Sequence, residues 1–447
     1  MGHMFRSIHR ASLIVGILVA ISLRISAGDW PQYRGANHDS STPERISTTW
    51  PAEGPRALWR VPLNGGFSSI TIGGGKAFTL VKRNVEGAER EVCLALDANT
   101  GKEIWAAPLA VAKYQDGGNN GAPDNNGGDG PRSTPSYDDG RVYAFSSRLV
   151  LFCLYANTGK EVWKRDLIKE NAGRIISWEN AASPLIDGDL IFVAGGGAGQ
   201  SLIAINKKDG RVAWQGQDDM MTHSTPTAAT IQGQRQVIFF TQRGLVSVVP
   251  QTGAVLWRQR FNYNVSTAMT PVVGGDIVFC SAGYSIGGGA YKITKTGNSF
   301  SVNELWFKPG NVLNNHWSTP LAKDGLLYGL FGFKEFANAP LKCVDLASGN
   351  VLWSQAGFGP GGTILADGCL VVLGDAGQLA IVKATPERYT ELARARVLTG
   401  KCWSTPTVSN GRIYARSTKE GVCLEVSPQV IDASKSGNAA GGNSIVQ

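Results

Sequence analysis

The sequence predicts an all-β chain folded as an eight-bladed β-propeller of four-stranded antiparallel blades, its ring closed by an N-terminal strand pairing with the last blade. Three observations carry that prediction. An apolar strand ends in tryptophan seven times, at Trp59, Trp105, Trp163, Trp214, Trp257, Trp306 and Trp353. Five of these follow a small polar residue, a glycine and three more residues, as in Thr100-Gly101-Lys102-Glu103-Ile104-Trp105. A serine- or threonine-proline element recurs at the same interval, and no helical period appears beyond the N-terminal segment. Self-similarity at a spacing of about 50 residues marks a stack of supersecondary units, and four-stranded units arranged radially are propeller blades.

Each unit reads in the same order. Its first strand is announced by Ser133-Thr134-Pro135, Ser183-Pro184, Ser224-Thr225-Pro226, Met269-Thr270-Pro271, Ser318-Thr319-Pro320 and Ser404-Thr405-Pro406, with weaker versions at 67–70 and 361–364. That makes eight inner strands. Asp139-Gly140 and Asp187-Gly188 lie between alternating apolar runs, the signal of a tight hairpin into a second strand. A third strand follows, such as 93–97, then the turn glycine and the tryptophan strand. The glycine-rich segments 195–199 and 287–289 are read as hairpin turns between second and third strands; neither leads into a helix, so neither is a phosphate cradle. The last unit, 404–426, lacks a tryptophan strand, and Leu58-Trp59-Arg60 is placed as its outer strand. The seventh outer strand falls near Ala395, with its tryptophan lost. The tryptophans themselves are read as wedges between blades, not as a cofactor stack.

Composition bounds the rest. Of 447 residues, 43% are hydrophobic, 17% charged and 56 are glycine, which describes a folded, turn-rich chain. The net charge is +8, of which Arg6, Arg10 and Arg24 supply three, and no basic run follows them, so nucleic acid is not an expected partner. Arg6, His9 and Arg10 precede an apolar stretch at 11–23 and a small residue, Ala27, at a cleavage position. Residues 1–27 are therefore expected to be a signal peptide, with retention as a membrane anchor the alternative; about 20 apolar residues are needed to span a bilayer. No cysteine follows that stretch to carry a lipid. The expected location is periplasmic or secreted, with the propeller at 28–427 and a disordered tail at 428–447. Of seven cysteines, Cys153, Cys343 and Cys423 fall in a slot filled elsewhere by Ala95, Ala204, Ser247 and Ala380, so they are read as small buried side chains and not as a disulfide framework.

With Asp97-Ala98-Asn99-Thr100-Gly101-Lys102-Glu103-Ile104-Trp105 and its copies on the page, residues 29–427 resemble the pyrroloquinoline-quinone-like (PQQ-like) propeller repeat family. The segment Asp29-Trp30-Pro31-Gln32-Tyr33-Arg34-Gly35 is similar to the entry segment of exported members found in planctomycete-type bacteria. The resemblance implies two very different functions. One branch consists of quinoprotein alcohol dehydrogenases, which use an adjacent cysteine pair, a stacked tryptophan, and a calcium or lanthanide held by Glu, Asn and Asp. This chain has no adjacent cysteines, and only Trp178-Glu179-Asn180 imitates part of that cluster. The other branch is the scaffold subunit of the outer-membrane barrel-assembly machine, a lipoprotein, whose lipid-bearing cysteine is missing here.

A site is expected where residues ahead of the inner strands face the central funnel. Those positions hold Arg132, Trp178, Glu179, Asn180, His223, Asn315, His316, Trp317 and Trp403, varied and non-periodic, which suits a ligand site; the alternative is that they merely fill the funnel. Glu179 is the only carboxylate among them, no nucleophile elbow occurs, and no catalytic or metal-ligating residue is assigned. The oxygen-rich run 116–129 lacks the spacing of a calcium loop and is read as a flexible surface insertion. The leading expectation is a non-catalytic, monomeric scaffold that binds a protein, peptide or cell-envelope glycan and needs no cofactor. The alternative is a divergent PQQ-dependent oxidoreductase, with Glu179 and Asn180 near Ca2+ and Trp178, Trp317 or Trp403 stacking on the quinone.

Overall fold

Eight antiparallel sheets stand around one axis in a computed structural model that describes residues 1–2, 28–114, 130–263, 265–333 and 338–428. All but the first two residues of the expected signal peptide, the 116–129 insertion and the tail beyond 428 lie outside the described residues. Blade one is Thr71–Gly73, Lys76–Val85, Ala88–Asp97 and Glu103–Val111, inner strand to outer. Blades two to seven repeat this order from the inner strands Ser136–Asp138, Leu185–Asp187, Thr227–Ile231, Val272–Gly274, Leu321–Lys323 and Gly362–Ala366. Blade eight takes Thr407–Ser409, Arg412–Arg416 and Glu420–Glu425 from the end of the chain and Ala57–Pro62 from its beginning, with Trp59 opposite Cys423. The ring is closed by the predicted strand. Among the described residues the one α-helical segment is a single turn, Leu167–Glu170, capped by Asp166.

Strand order fixes two faces. Hairpins between first and second strands and turns between third and outer strands lie at one end, the turn face. Loops between second and third strands, and connections between blades, lie at the other, the loop face.

The turn glycine and the tryptophan prove to be halves of a contact between neighbouring blades. Trp105 of blade one lies beneath Gly159 of blade two, and its Nε1 donates to Ala156 O at 2.9 Å. Trp59 meets Gly101 in the same way, Trp163 meets Gly210, Trp214 meets Gly253 and Trp306 meets Gly349. A Cβ on Gly159 would lie 2.7 Å from the Trp105 ring, and its φ of 70° is left-handed. Glycine is required there twice over.

Within each blade the small slot has a matching reason. Cys153 pairs across the sheet with Tyr143 on one side and Trp163 on the other, and Ala95, Ala204, Ala290, Cys343 and Cys423 sit likewise between an aromatic and a tryptophan. A small middle residue lets the two flanking rings approach to 5.9–6.1 Å, as Phe279 and Trp306 or Tyr328 and Trp353 do. In blade seven the row is Val372, Ala380 and Arg394, so an arginine takes the tryptophan's place, its guanidinium 4.3 Å over Phe358. One expectation fails: Gly287 to Gly289 open the strand Gly287–Thr296, and the turn is 283–286. They are glycines because a Cβ on Gly288 would meet Phe279 at 2.8 Å, and one on Gly289 the Tyr291 hydroxyl at 2.7 Å.

Around the axis, the recurring hydroxyls bond blade to blade. Thr405 N donates to Ser69 Oγ at 2.9 Å, Ser69 N to Thr134 Oγ1 at 2.9 Å, Thr134 N to Ser183 Oγ at 2.9 Å and Ser183 N to Thr225 Oγ1 at 2.9 Å. Blade seven has Gly362 in this slot, where a Cβ would strike Thr405 Cα at 2.6 Å.

The segment 28–42 crosses the turn face of the axis and closes it. Trp30 exchanges backbone bonds with Ile72 of blade one, Pro31 O accepts from Tyr137 N of blade two at 2.7 Å, and the Gln32 amide pairs with the Ile186 backbone of blade three. Arg34 Nη1 donates to Pro320 O of blade six at 3.0 Å, Ser40 O accepts from Leu365 N of blade seven at 2.8 Å, and Gly28 O accepts from Ser409 of blade eight. The seam between blades eight and one carries a further clasp. Arg416, 1% exposed, donates to Thr79 Oγ1 and Leu80 O at 2.8 Å, Asn64 O at 3.1 Å and Gly66 O at 3.2 Å. Burial pulls its guanidinium down to about 9, still a cation at neutral pH.

Two glycines of blade two separate backbone strain from interblade docking. Gly140 and Gly159 have φ of 74° and 70°, but only Gly159 faces the ring of Trp105; nothing lies within 4 Å of a Cβ on Gly140. Gly140→Ala should cost about 1 kcal/mol and Gly159→Ala about 3 kcal/mol in urea unfolding. Combining Gly159→Ala with Trp105→Ala should cost clearly less than the sum of the two single changes. Equal costs for the two glycines would refute the docking role.

Candidate functional site

On the loop face, opposite the closing segment, side chains from separate blades meet around the axis. Trp403 precedes the inner strand of blade eight, and its ring lies 5.4 Å from Phe67 of blade one and 4.3 Å from Trp317 of blade six. Trp317 continues to His316 at 5.5 Å and Phe333 at 5.9 Å. Tyr284, in the 283–286 turn of blade five, lies 4.3 Å from Phe333 and 5.6 Å from His316. Trp178 of blade three stands 6.5 Å from Tyr284 and 6.3 Å from His223 of blade four. The result is a belt of aromatic rings drawn from blades one, three, four, five, six and eight. Trp178, Tyr284, Trp317 and Trp403 are half-buried, so one side of the belt still meets solvent.

Local structure holds these rings in place. Trp178 and Glu179 both have left-handed backbone, φ 66° and 54°, and Tyr284 and Ser285 repeat the pattern at 58° and 60°. Such pairs of non-glycine residues cost a few kcal/mol and persist only where their surroundings hold them. Arg132 of blade two fixes the first pair by donating from Nη1 to Trp178 O at 2.9 Å. Trp317 Nε1 donates to Pro360 O of blade seven at 2.8 Å, which ties the belt to that blade as well. The Lys401 ammonium lies 4.0 Å over the Trp403 ring.

Both belt histidines are neutral. His223 Nε2 lies 2.9 Å from Ser177 O and therefore carries the proton, leaving Nδ1 to accept from Ser266 Oγ at 2.7 Å. Burial, helped by the positive charge of Arg132, pulls His223 down to about 4; burial, with His223 nearby, pulls His316 down to about 3.

The expected site residues divide into two groups. Arg132, Trp178, His223, His316, Trp317 and Trp403 come together as described. Asn180 and Asn315 do not join them. Asn180 spends its amide on Ser146 O, Ala182 O and Ala182 N, and Asn315 donates to Ser318 O and Leu330 O, so both fold the loops that carry their neighbours. Glu179 is buried. Phe67, Tyr284 and Phe333 escaped sequence reasoning, although each is an aromatic outside the repeat in or beside a loop-face segment. Glu91 escaped it too. Its buried carboxyl accepts from Tyr114 OH at 2.8 Å and Ser147 N at 3.0 Å, and burial holds it above the usual carboxylate range despite those bonds and the Arg132 charge.

A quinone-bound calcium does not suit this donor set. The Asn180 amide oxygen is already engaged by Ala182 N, Glu179 stands without a second carboxylate beside it in sequence, and no cysteine adjoins another. Among the described residues no group of three or more His, Cys, Asp or Glu side chains is placed to hold a metal ion. No helix among them is long and apolar enough to cross a membrane.

Comparison with known proteins follows the fold. The family model described as outer membrane protein assembly factor BamB matches residues 88–328 and 337–434. The BamB of Yersinia pestis is 24% identical over 245 residues, 49% of this chain and 56% of its own length. The chain spans about half the length of the curated relatives it matches. Among solved structures, BamB from Moraxella catarrhalis superposes with a TM-score of 0.57 at 16% identity, covering 83% of this chain and 97% of the other. Quinohemoprotein alcohol dehydrogenase from Comamonas testosteroni superposes at 0.61 and 14% identity, covering 90% and 82%. At these identities the structural likeness speaks for the fold alone.

The two histidines make acid stability a probe of the belt. Both are held below the ordinary histidine value of about 6.5, so below that pH the unfolded chain takes up protons that the folded chain refuses down to about 4 and about 3. Stability should therefore be full above pH 6.5 and fall as pH drops toward 4, each histidine adding up to about 1.4 kcal/mol per pH unit. In urea unfolding measured across that window, His223→Gln and His316→Gln should each flatten the loss. Unchanged slopes in both variants would show that the belt histidines are protonated in the folded state.

Proposed function

The chain belongs to the family described as outer membrane protein assembly factor BamB, and from that premise we propose that it is an exported, non-catalytic scaffold that binds a protein or extended peptide through the loop face of its funnel. The carrying observation is the aromatic belt. Rings from six blades converge on the end of the axis opposite the 28–42 segment. Half-buried tryptophan and tyrosine give a large, rigid, amphipathic contact area at low entropic cost, the composition typical of binding hot spots. A hydrogen-bonded His223 and an Asn180 amide engaged with the backbone of its own loop support a binding surface more than a reaction centre. The name of the relatives, an assembly factor, supports a protein as the bound partner; a cell-envelope glycan stacking on the same rings is the weaker reading, since nothing in the belt favours sugar over side chain.

The periplasmic or secreted location rests on the charge and apolar pattern of residues 1–27 and on the same family. A photo-crosslinking amino acid at Tyr284, compared with one at Asp189 on the turn face, tests the surface in envelope extracts. Crosslinks to protein are expected at position 284, absent at 189, and reduced several-fold by Trp317→Ala. Equal labelling at both positions, or labelling indifferent to Trp317, would remove the funnel as the binding face.

The oxidoreductase alternative has its own check. With PQQ and calcium added, tryptophan fluorescence should show no saturable quenching. Stoichiometric quenching that disappears in the combined Trp178→Ala, Trp317→Ala, Trp403→Ala variant would overturn the scaffold reading in favour of a quinoprotein.

A further inference from the structure

Charge is distributed unevenly between the two faces, and the reason lies in the turns. The hairpins and third-to-outer turns require Asp and Asn to bond their own backbone, as Asp97 does with Asn99 and Thr100 and Asp345 does with Ser348. The turn face therefore collects carboxylates such as Asp139, Asp189, Asp324 and Glu387 among its lysines. The loop face has no such need. Around its rim stand Arg148, Arg174, Arg243, Arg260, Arg396 and Lys419, one or more on each of blades two, four, seven and eight and on the connection into blade three. Apart from Arg243, which lies 3.7 Å from the buried Asp219, none of these six has an ion-pair partner among the described residues. Most of the acidic side chains described at this end are paired or buried. Glu89 pairs with Lys82 and Glu170 with Arg165, Glu91 and Asp375 are buried, and Glu86 and Asp218 are left exposed. On blade four the rim becomes a groove of about 590 Å3 in which Arg243, Arg258 and Arg260 converge with Gln242 and Asn262. No carboxylate lines it; Arg258 reaches Asp219, which is 1% exposed, at 2.7 Å.

We infer that the loop face is a cationic docking surface whose occupant is an acidic, extended polypeptide carrying an apolar side chain, its carboxylates on the rim arginines and its apolar group on the belt. This deepens the scaffold reading and rests on it. Unpaired guanidinia facing solvent attract carboxylates and raise encounter rates, with bidentate pairing where a carboxylate settles. The occupant is a polypeptide and not an anionic membrane because the apolar element is recessed. The belt rings are half-buried within the circle of blades, behind a polar rim, where a flat bilayer cannot reach them and a chain can.

The probe is a short fluorescent peptide of aspartates and glutamates around one phenylalanine, followed by anisotropy on the full chain. Binding should weaken steeply between about 50 and about 300 mM salt. The combined Arg148→Gln, Arg174→Gln, Arg243→Gln, Arg260→Gln variant should lose about tenfold or more in affinity and most of the salt dependence, with an unchanged melting temperature, since these side chains are at the surface. Replacing the peptide's phenylalanine by alanine, or Trp317 by alanine, should cost affinity without altering the salt slope. Binding that ignores the rim substitutions but needs Trp317 would overturn the cationic-rim inference and leave the belt reading standing. Binding that needs the rim but ignores both Trp317 and the phenylalanine would overturn the belt reading, and this inference with it. Adsorption to phosphatidylglycerol vesicles without any binding of the peptide would overturn the polypeptide assignment.

Discussion

The ring depends above all on one recurring contact, the docking of an indole under the turn glycine of the next blade, made by Trp59, Trp105, Trp163, Trp214 and Trp306. A four-stranded sheet buries one face poorly by itself, and it is stable only against a neighbour. The contact solves this in a direction-dependent way. Trp105 points forward to Gly159, Trp163 to Gly210 and Trp214 to Gly253, so blades two and three are each both donor and receiver. The indole N–H of Trp59, Trp105, Trp214 and Trp306 finds a carbonyl of the receiving turn, as Trp214 does at Pro250 O, 2.7 Å away, which spares the donor an unmet bond. Loss of one such tryptophan would forfeit about 3–5 kcal/mol, comparable to much of the stability of an ordinary domain. Funnel and rim are placed only because this contact sets the angle between blades.

The loss of the tryptophan at blade seven follows from the same constraint. Blade eight has no continuous turn between its third and outer strands, because the latter arrives from the far end of the chain. No ordinary turn glycine exists to receive an indole, and blade seven presents Arg394 instead. Gly54, with φ of 94° and room for no Cβ beyond that of Ala395 at 2.6 Å, fills the receiving role at the seam. Arg416 then joins blade eight to blade one through backbone carbonyls, an arrangement that a purely apolar seam would not require.

How much of this was legible depended on whether the signal repeats. The tryptophans, turn glycines and proline-marked strands recur at fixed spacing, and from them the blade count, the strand order and the closing strand at Trp59 could be read. The aromatic facing each small slot is also periodic, but Phe78, Tyr143 and Phe192 look like ordinary strand residues until the register shows what they flank. The site was half legible. Trp178, His223, Trp317 and Trp403 stood out because they break the period ahead of inner strands. Phe67, Tyr284 and Phe333 reach the belt only through the curvature of the ring, and a linear sequence has no record of that curvature. Asn180 and Asn315 show the opposite limit: polar residues before a strand look like ligands in the sequence, and only the structure shows their bonds to Ala182 and Ser318.

The seam has a consequence for how the molecule is made. Trp59 pairs with Cys423, so the first strand of the ring and one of the last are partners separated by nearly the full described chain. Contacts so distant in sequence are slow to form, and the entropy of closing the loop is met before any of them contributes. Blades one to seven can assemble as each is completed, but Ala57–Pro62 remains an unpaired edge, with the floor segment 28–42 unseated, until Glu420–Glu425 arrives. An incomplete chain therefore presents an open sheet edge and an uncovered axis together, and a chain arrested short of its end is the form most exposed to proteolysis and to pairing with the wrong strand.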